Sequence, residues 1–135
     1  MTMNNPDTLT VSDLMTPGPI TVSPSAQVDE ARSLLSERRI RHLPVTDADG
    51  RVVGLITKRD LEGFSARGGE ATKSVAFIMV KDVDTAGAGD PIGAAARHMF
   101  QTKRGCLPVL DNDKKIVGIL TEADFLRWFV RNTSV

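Results

Sequence analysis

The 135-residue chain carries no net charge, with 17 basic and 17 acidic side chains, 41% apolar residues and a single cysteine. This is an ordinary globular composition; it excludes an internal disulfide and lacks the basic excess and aromatic platforms of a nucleic-acid binder. No apolar run approaches a membrane span and the polar start, Met1 to Thr10, has no signal pattern, so a cytoplasmic protein with no membrane partner is expected.

In chain order, Thr10 to Met15 reads as a short helical turn, with Thr10 and Asp13 at capping-box spacing. Ile20-Thr21-Val22 reads as a short strand. Ser25 is expected to cap a helix with Val28, Ala31 and Leu35 on its apolar side and Asp29, Glu30, Arg32 and Glu37 in solvent. His42 to Thr46 and Val52 to Ile56 form a hairpin through the turn Asp47-Ala48-Asp49-Gly50. A helix from Thr57 fades into residues 65–73, where Gly68-Gly69 marks a linker. The plan then returns. Asp90 is expected to cap a helix with Pro91 at its first position and Ile92, Ala95, Ala96 and Met99 on its apolar face. Leu107 to Leu110 and Ile116 to Leu120 form a second hairpin. Thr121 opens a last helix, whose Phe125, Leu126, Trp128 and Phe129 are expected to pack inward or against a partner.

The return is literal. Residue i matches residue i+64 without a gap, giving twelve identities between Met15 and Asp60, where roughly three arise by chance. They include Leu43-Pro44-Val45 with Leu107-Pro108-Val109, and Val53-Gly54, Thr57 and Asp60 with Val117-Gly118, Thr121 and Asp124. Two repeats follow, 8–70 and 71–135. One three-stranded sheet with two helices is small to stand alone. The expected fold is therefore α+β: two β-α-β-β-α repeats, related by a pseudo-twofold axis and packed sheet to sheet, with a cleft between them.

The chemistry concentrates in Gly54-Leu55-Ile56-Thr57-Lys58-Arg59-Asp60 and its copy Gly118-Ile119-Leu120-Thr121-Glu122-Ala123-Asp124. A hydroxyl and a carboxylate stand three residues apart at a strand-to-helix junction. There the unpaired N–H groups and the positive dipole end suit a phosphate, and a carboxylate can accept both hydroxyls of a ribose. The same spacing is also a capping box, the more frequent meaning of Thr-x-x-Asp. A capping Thr keeps a lone pair to offer, so both roles are compatible.

The strings Arg41-His42-Leu43-Pro44-Val45-x-Asp47 and Val53-Gly54-Leu55-Ile56-Thr57-x-x-Asp60, with their second copies, resemble the tandem cystathionine-β-synthase-type (CBS) domain pair, from about Val11 to Trp128. The resemblance implies a regulatory, non-enzymatic module that binds an adenosine-containing ligand (AMP, ADP, ATP or S-adenosylmethionine) in the inter-repeat cleft. It also implies a homodimer whose conformational change is read by a separate effector protein. It implies two sites. One takes Thr121, Asp124 and Ile119 with Ile20, Ile40 and Arg41. The other takes Thr57, Asp60 and Leu55 with phosphate contacts from Arg41 or His42 and the strand 80–85. Asp84 stands where the first repeat has Ile20, and Gly105-Cys106 where it has Arg41-His42. A carboxylate beside an uncharged base costs desolvation unless paired, so the Asp124 site is expected to be the better adenosine pocket and the Asp60 site the better phosphate grip.

The remaining features read as structure. Arg38 and Arg39 suit a helix C-terminus. His42 and His98 make no metal pair, Cys106 is expected to be a buried side chain without a base, and Met15, Met79 and Met99 fill gaps. The acidic turns lack the loop length of a calcium site. No catalytic residue, resident cofactor or metal is expected; the adenine nucleotide is a regulatory ligand. The alternative is a ligand-free dimerisation or docking module in which Thr-x-x-Asp is only a helix cap.

Overall fold

A computed structural model describes residues 5–134; Met1 to Asn4 of the polar start, and Val135 at the end of the second repeat, lie outside it. The elements are α1 (Val11–Leu14), β1 (Thr16–Pro17), α2 (Val28–Arg38), β2 (His42–Thr46), β3 (Val52–Thr57), α3 (Lys58–Ala66), β4 (Ala86–Gly87), α4 (Ile92–Thr102), β5 (Cys106–Leu110), β6 (Ile116–Thr121) and α5 (Glu122–Arg131), with 3-10 turns at Pro6–Thr8 and Val75–Phe77. The chain is α+β and built from two repeats.

The compact units cut across the repeats. One unit runs from Ile20 to Val83; the other joins the residues up to Pro19 with those from Asp84 onward. Each lead-in segment docks on the hairpin of the opposite repeat. In one unit β1 pairs antiparallel with β6, Thr16 facing Ile119, and β4 runs parallel to β5, Ala86 facing Val109. In the other, Leu55 bridges Val80 antiparallel and Val22 bridges Val45 in parallel, the same pairings shifted by 64 residues. The expected strand at residues 20–22 thus shrinks to the single bridge at Val22, which exchanges hydrogen bonds with Pro44 and Thr46 (3.1 and 2.9 Å) before the chain turns toward α2.

Both hairpins shift register at the matching step, between Val45 and Thr46 and between Val109 and Leu110. Their turns are held alike: Asp47 Oδ1 accepts from the N–H groups of Asp49 and Arg51, and Asp111 Oδ1 from those of Asp113 and Lys115. A side-chain oxygen mimicking a backbone acceptor is the turn chemistry of aspartate.

The two cores occupy the same places. Val28, Ala31, Leu35, Leu43, Val45 and Ile56 fill one; Ile92, Ala95, Met99, Leu107, Val109 and Leu120 fill the other. Each of the larger side chains among these contributes about 1.5–3 kcal/mol on burial, so twice-used positions fold two copies. The lead-ins complete the cores, with Val75 fully buried in one and Val11 in the other. They also explain the repeated glycines. A Cβ at Gly54 would collide with the Met79 side chain, and one at Gly118 with Met15 and, at 3.0 Å, with the Thr16 carbonyl.

Two caps differ from expectation. α2 is capped by Gln27, paired with Glu30, while Ser25 hydrogen-bonds Ser23 in the preceding turn. The Asp90 carboxylate accepts from the Gly87 N–H at 2.8 Å, bracing the loop ahead of α4, and Pro91 takes the capping position. On α5, Phe125 packs on the core and Trp128 is half-buried, but Leu126 and Phe129 point outward.

Candidate functional site

The first copy of the motif sits where β3 runs into α3. Thr57, still extended (φ −112°, ψ 156°), caps the helix, its hydroxyl accepting from the Asp60 N–H at 3.0 Å. Asp60 Oδ2 returns to the Thr57 N–H at 3.3 Å. This is a capping box, and it uses one oxygen of the carboxylate. Among the described residues Oδ1 takes no hydrogen bond. Asp60 is half-exposed and borders a cavity of about 720 Å3 together with Arg59, Gly63, Arg67, Phe77 and Ile78. An open carboxylate oxygen, the exposed Glu62 carboxylate, two cations and an exposed aromatic ring meet at this cavity by the start of α3.

The second copy is spent on its own fold. Asp124 is 2% exposed. Its Oδ2 accepts from the Thr121 N–H at 2.8 Å and, more weakly, from the Thr121 hydroxyl at 3.4 Å. Its Oδ1 accepts from the Thr16 hydroxyl at 2.8 Å and from the Arg127 guanidinium at 2.7 Å. A buried carboxylate demands such partners. The difference follows from two positions: Val80 and Gly63 stand in the first copy where Thr16 and Arg127 stand in the second, so Asp60 Oδ1 has neither donor.

The other expected residues divide between the units. Ile20, Ile40, Arg41, His42, Leu55, Thr57 and Asp60 belong to the unit from Ile20 to Val83, and Ile119, Thr121 and Asp124 to the other. Ile20 and Ile40 pack half-buried against the core. His42 pairs across the hairpin from Thr57, and half-buried Leu55 bridges Val80. Ile119 lies opposite Thr16. Arg41, expected beside Asp60, lines a different cavity, while its carbonyl accepts from the Lys58 N–H at 2.9 Å. The cations beside Asp60 are Arg59 and Arg67 instead. Sequence reading passed over both, although Asp60, Gly63 and Arg67 follow the i, i+3, i+7 spacing of one helix face.

Asp84 does not stand unpaired. Its Oδ2 accepts from Arg104 Nε at 3.2 Å and lies 3.1 Å from His98 Nε2. The matching positions of the first repeat, Ile20, Leu34 and Ile40, are half-buried aliphatics on the core. A polar cluster has replaced an apolar one as a set, which removes the desolvation cost of a lone carboxylate. Cys106 is buried, and burial first, then the neighbouring Asp124 carboxylate, push its thiol up to about 12. Among the described residues no group of three or more His, Cys, Asp or Glu side chains is placed to hold a metal ion, and no helix is long and apolar enough to cross a membrane.

Against known proteins, the model of the CBS domain family matches residues 11–66 and 74–131. A homoserine O-acetyltransferase of Methanohalobium evestigatum is 34% identical over 117 residues, which are 87% of this chain and 23% of that protein. The chain thus spans about a quarter of the curated relatives it matches. Among solved structures, a CBS domain pair in complex with 5-methylthioadenosine and S-adenosyl-L-methionine is 31% identical, with a TM-score of 0.83 over 93% of this chain and 98% of that one. CBSX2, a CBS-pair protein of Arabidopsis thaliana, in complex with AMP is 32% identical, with a TM-score of 0.82 over 90% and 96%.

Proposed function

The chain belongs to the CBS domain family, and from that premise we propose that it is a non-enzymatic regulatory module that binds an adenosine-containing ligand at the N-terminus of α3. The observation that carries the reading is the open Oδ1 of Asp60 on a cavity of about 720 Å3. Two similar CBS pairs are solved with AMP and with S-adenosyl-L-methionine, which supports that ligand class.

In this reading Asp60 accepts the ribose hydroxyls while Thr57 keeps the helix capped. Phosphate, where the ligand has one, lies toward the Arg59 and Arg67 guanidiniums, whose forked donors suit its oxygens. Phe77, 71% exposed with Lys73 Nζ 4.5 Å from its ring centre, offers with Ile78 an apolar surface to the base. Binding favours one arrangement of the lead-in segment relative to α3, and a separate effector protein in the cytoplasm reads that population shift. The working form is a homodimer, supported by the exposed Leu126, Phe129 and Val130 on α5.

Isothermal titration with AMP, ADP, ATP and S-adenosylmethionine tests the reading. At least one should bind, and Asp60→Asn should weaken it tenfold or more, the effect of one charge-assisted hydrogen bond worth about 1.5–3 kcal/mol. Absence of heat with all four removes the proposal. The docking-module alternative is favoured by one observation, the saturated carboxylate of Asp124, and it applies to that copy: there Thr-x-x-Asp is a clasp between α5 and the lead-in.

A further inference from the structure

Three methionines stand among the described residues, and two of them hold the same place in the two lead-ins. Met99 is buried in a core, whereas Met15 and Met79 are only half-buried. Met79 lies against Gly54 of β3, so closely that a Cβ there would stand 2.8 Å from its Cγ and closer still to its Sδ. The sulfur fills the space the glycine leaves, in a residue that keeps some contact with solvent. A thioether in such a place is open to a chemistry that leucine or valine lacks.

The two lead-ins are not held equally. Beyond Met15, β1 pairs with β6 at Thr16 and Pro17, the Gly18 N–H donates to the Val117 carbonyl at 3.2 Å, and the Thr16 hydroxyl is locked on Asp124. Beyond Met79 the segment is tied to β3 by the Leu55–Val80 bridge, 2.9 Å in each direction. Val80 is exposed and has no hydroxyl to offer Asp60. Phe77 and Ile78, just ahead of Met79, border the Asp60 cavity. A change at the Met79 sulfur therefore acts on a lightly held segment that forms one wall of that cavity.

We infer that Met79 is a site of reversible oxidation that detaches its lead-in from β3. Hydrogen peroxide transfers one oxygen to the thioether: the O–O bond breaks, an S–O bond forms, the sulfur gives up two electrons and water leaves. The new oxygen is a strong acceptor, and it joins a sulfur whose near side is closed by Gly54. A polar atom without a donor is disfavoured there, so the sulfoxide turns to solvent and draws residues 78–80 off β3. Met15 undergoes the same chemistry with less effect, because the Thr16–Asp124 bond and the β1–β6 pairing hold its segment. A dithiol-dependent reductase restores the thioether, the oxygen leaving as water while the dithiol becomes a disulfide. On the nucleotide reading of the Asp60 cavity, on which this consequence rests, loss of the Phe77–Ile78 wall weakens the ligand, so peroxide regulates the site.

Limited treatment of the full chain with hydrogen peroxide, followed by tryptic digestion and mass spectrometry, tests this. Peptide 74–81 carries Met79 and peptide 98–103 carries Met99, each as its one methionine. Peptide 74–81 should gain oxygen several-fold faster than peptide 98–103. Hydrogen exchange at the Leu55 and Val80 amides should then speed up several-fold and return after methionine sulfoxide reductase with dithiothreitol. Met79→Leu, a swap of similar volume, should match the parent's exchange before peroxide and show no acceleration after it. AMP affinity of the parent should fall several-fold on oxidation and stay unchanged in Met79→Leu. Equal oxidation of Met79 and Met99, unchanged exchange or unchanged AMP affinity with Met79 oxidised, or the same acceleration in Met79→Leu overturns the inference. A chain that binds no AMP before oxidation sinks the nucleotide reading, and the exchange of Leu55 and Val80 still decides whether Met79 oxidation frees the lead-in.

Discussion

Replacing each motif aspartate by alanine should separate stability from binding. Asp124→Ala strips the Thr121 N–H, the Thr16 hydroxyl and Arg127 of their shared acceptor. A buried N–H left without a partner costs about 1–3 kcal/mol and the lost hydrogen bond from the Thr16 hydroxyl about 0.5–1 kcal/mol. Arg127 is 47% exposed, so its lost ion pair adds less than about 1 kcal/mol. The total is about 3 kcal/mol, or roughly 10 °C in Tm at about 3–4 °C per kcal/mol for a chain of this size. Asp60→Ala leaves the Thr57 cap in place and removes only its 3.3 Å return bond, about 1 kcal/mol and roughly 3–4 °C. Binding should rank the other way, with nucleotide affinity tenfold or more weaker in Asp60→Ala and nearly unchanged in Asp124→Ala. Scanning calorimetry and titration on the two variants check both orders. Equal Tm shifts, or nucleotide affinity lost in Asp124→Ala with stability kept, would refute the division of labour.

Three further outcomes follow. Gly54→Ala should destabilise by about 1–3 kcal/mol through its clash with Met79, and Met79→Ala should relieve it in a double-mutant cycle; Met15→Ala should relieve Gly118→Ala less, because the Thr16 carbonyl also stands 3.0 Å away. The Cys106 thiol, raised from 9.0 to about 12 in the folded chain, keeps its proton when the unfolded chain has lost it. Its contribution is therefore whole below pH 9 and falls by up to about 4 kcal/mol as pH climbs to 12. Urea midpoints between pH 8 and 10.5 should decline less steeply in Cys106→Ala. Phe129→Glu, on the exposed face of α5, should shift sedimentation from dimer to monomer without changing Tm by more than a few degrees.

The parts of the fold readable from sequence were those set by local pattern and by the repeat. The hairpin strand His42–Thr46, the helix starting at Thr57 and both cores followed from alternation, capping chemistry and the 64-residue match. What escaped depends on contacts remote in the chain. Thr16 and Asp124 are 108 residues apart, and no local spacing announces their hydrogen bond. The substitutions of Val80 for Thr16 and Gly63 for Arg127 were visible, but their meaning needed the docking of the lead-ins. Likewise Ser25 and Asp90 have the chemistry of caps, and the turns around them claimed their side chains first. Asp84 looked like an isolated carboxylate until α4 and the loop after it brought His98 and Arg104 to it.

The most direct test of the account compares AMP with its 2′,3′-dideoxy analogue by titration calorimetry on the unaltered chain. If Asp60 Oδ1 receives the sugar hydroxyls, the analogue should bind at least tenfold more weakly, and the two should become equal in Asp60→Asn. Equal affinities for the parent chain would contradict the role given to that carboxylate.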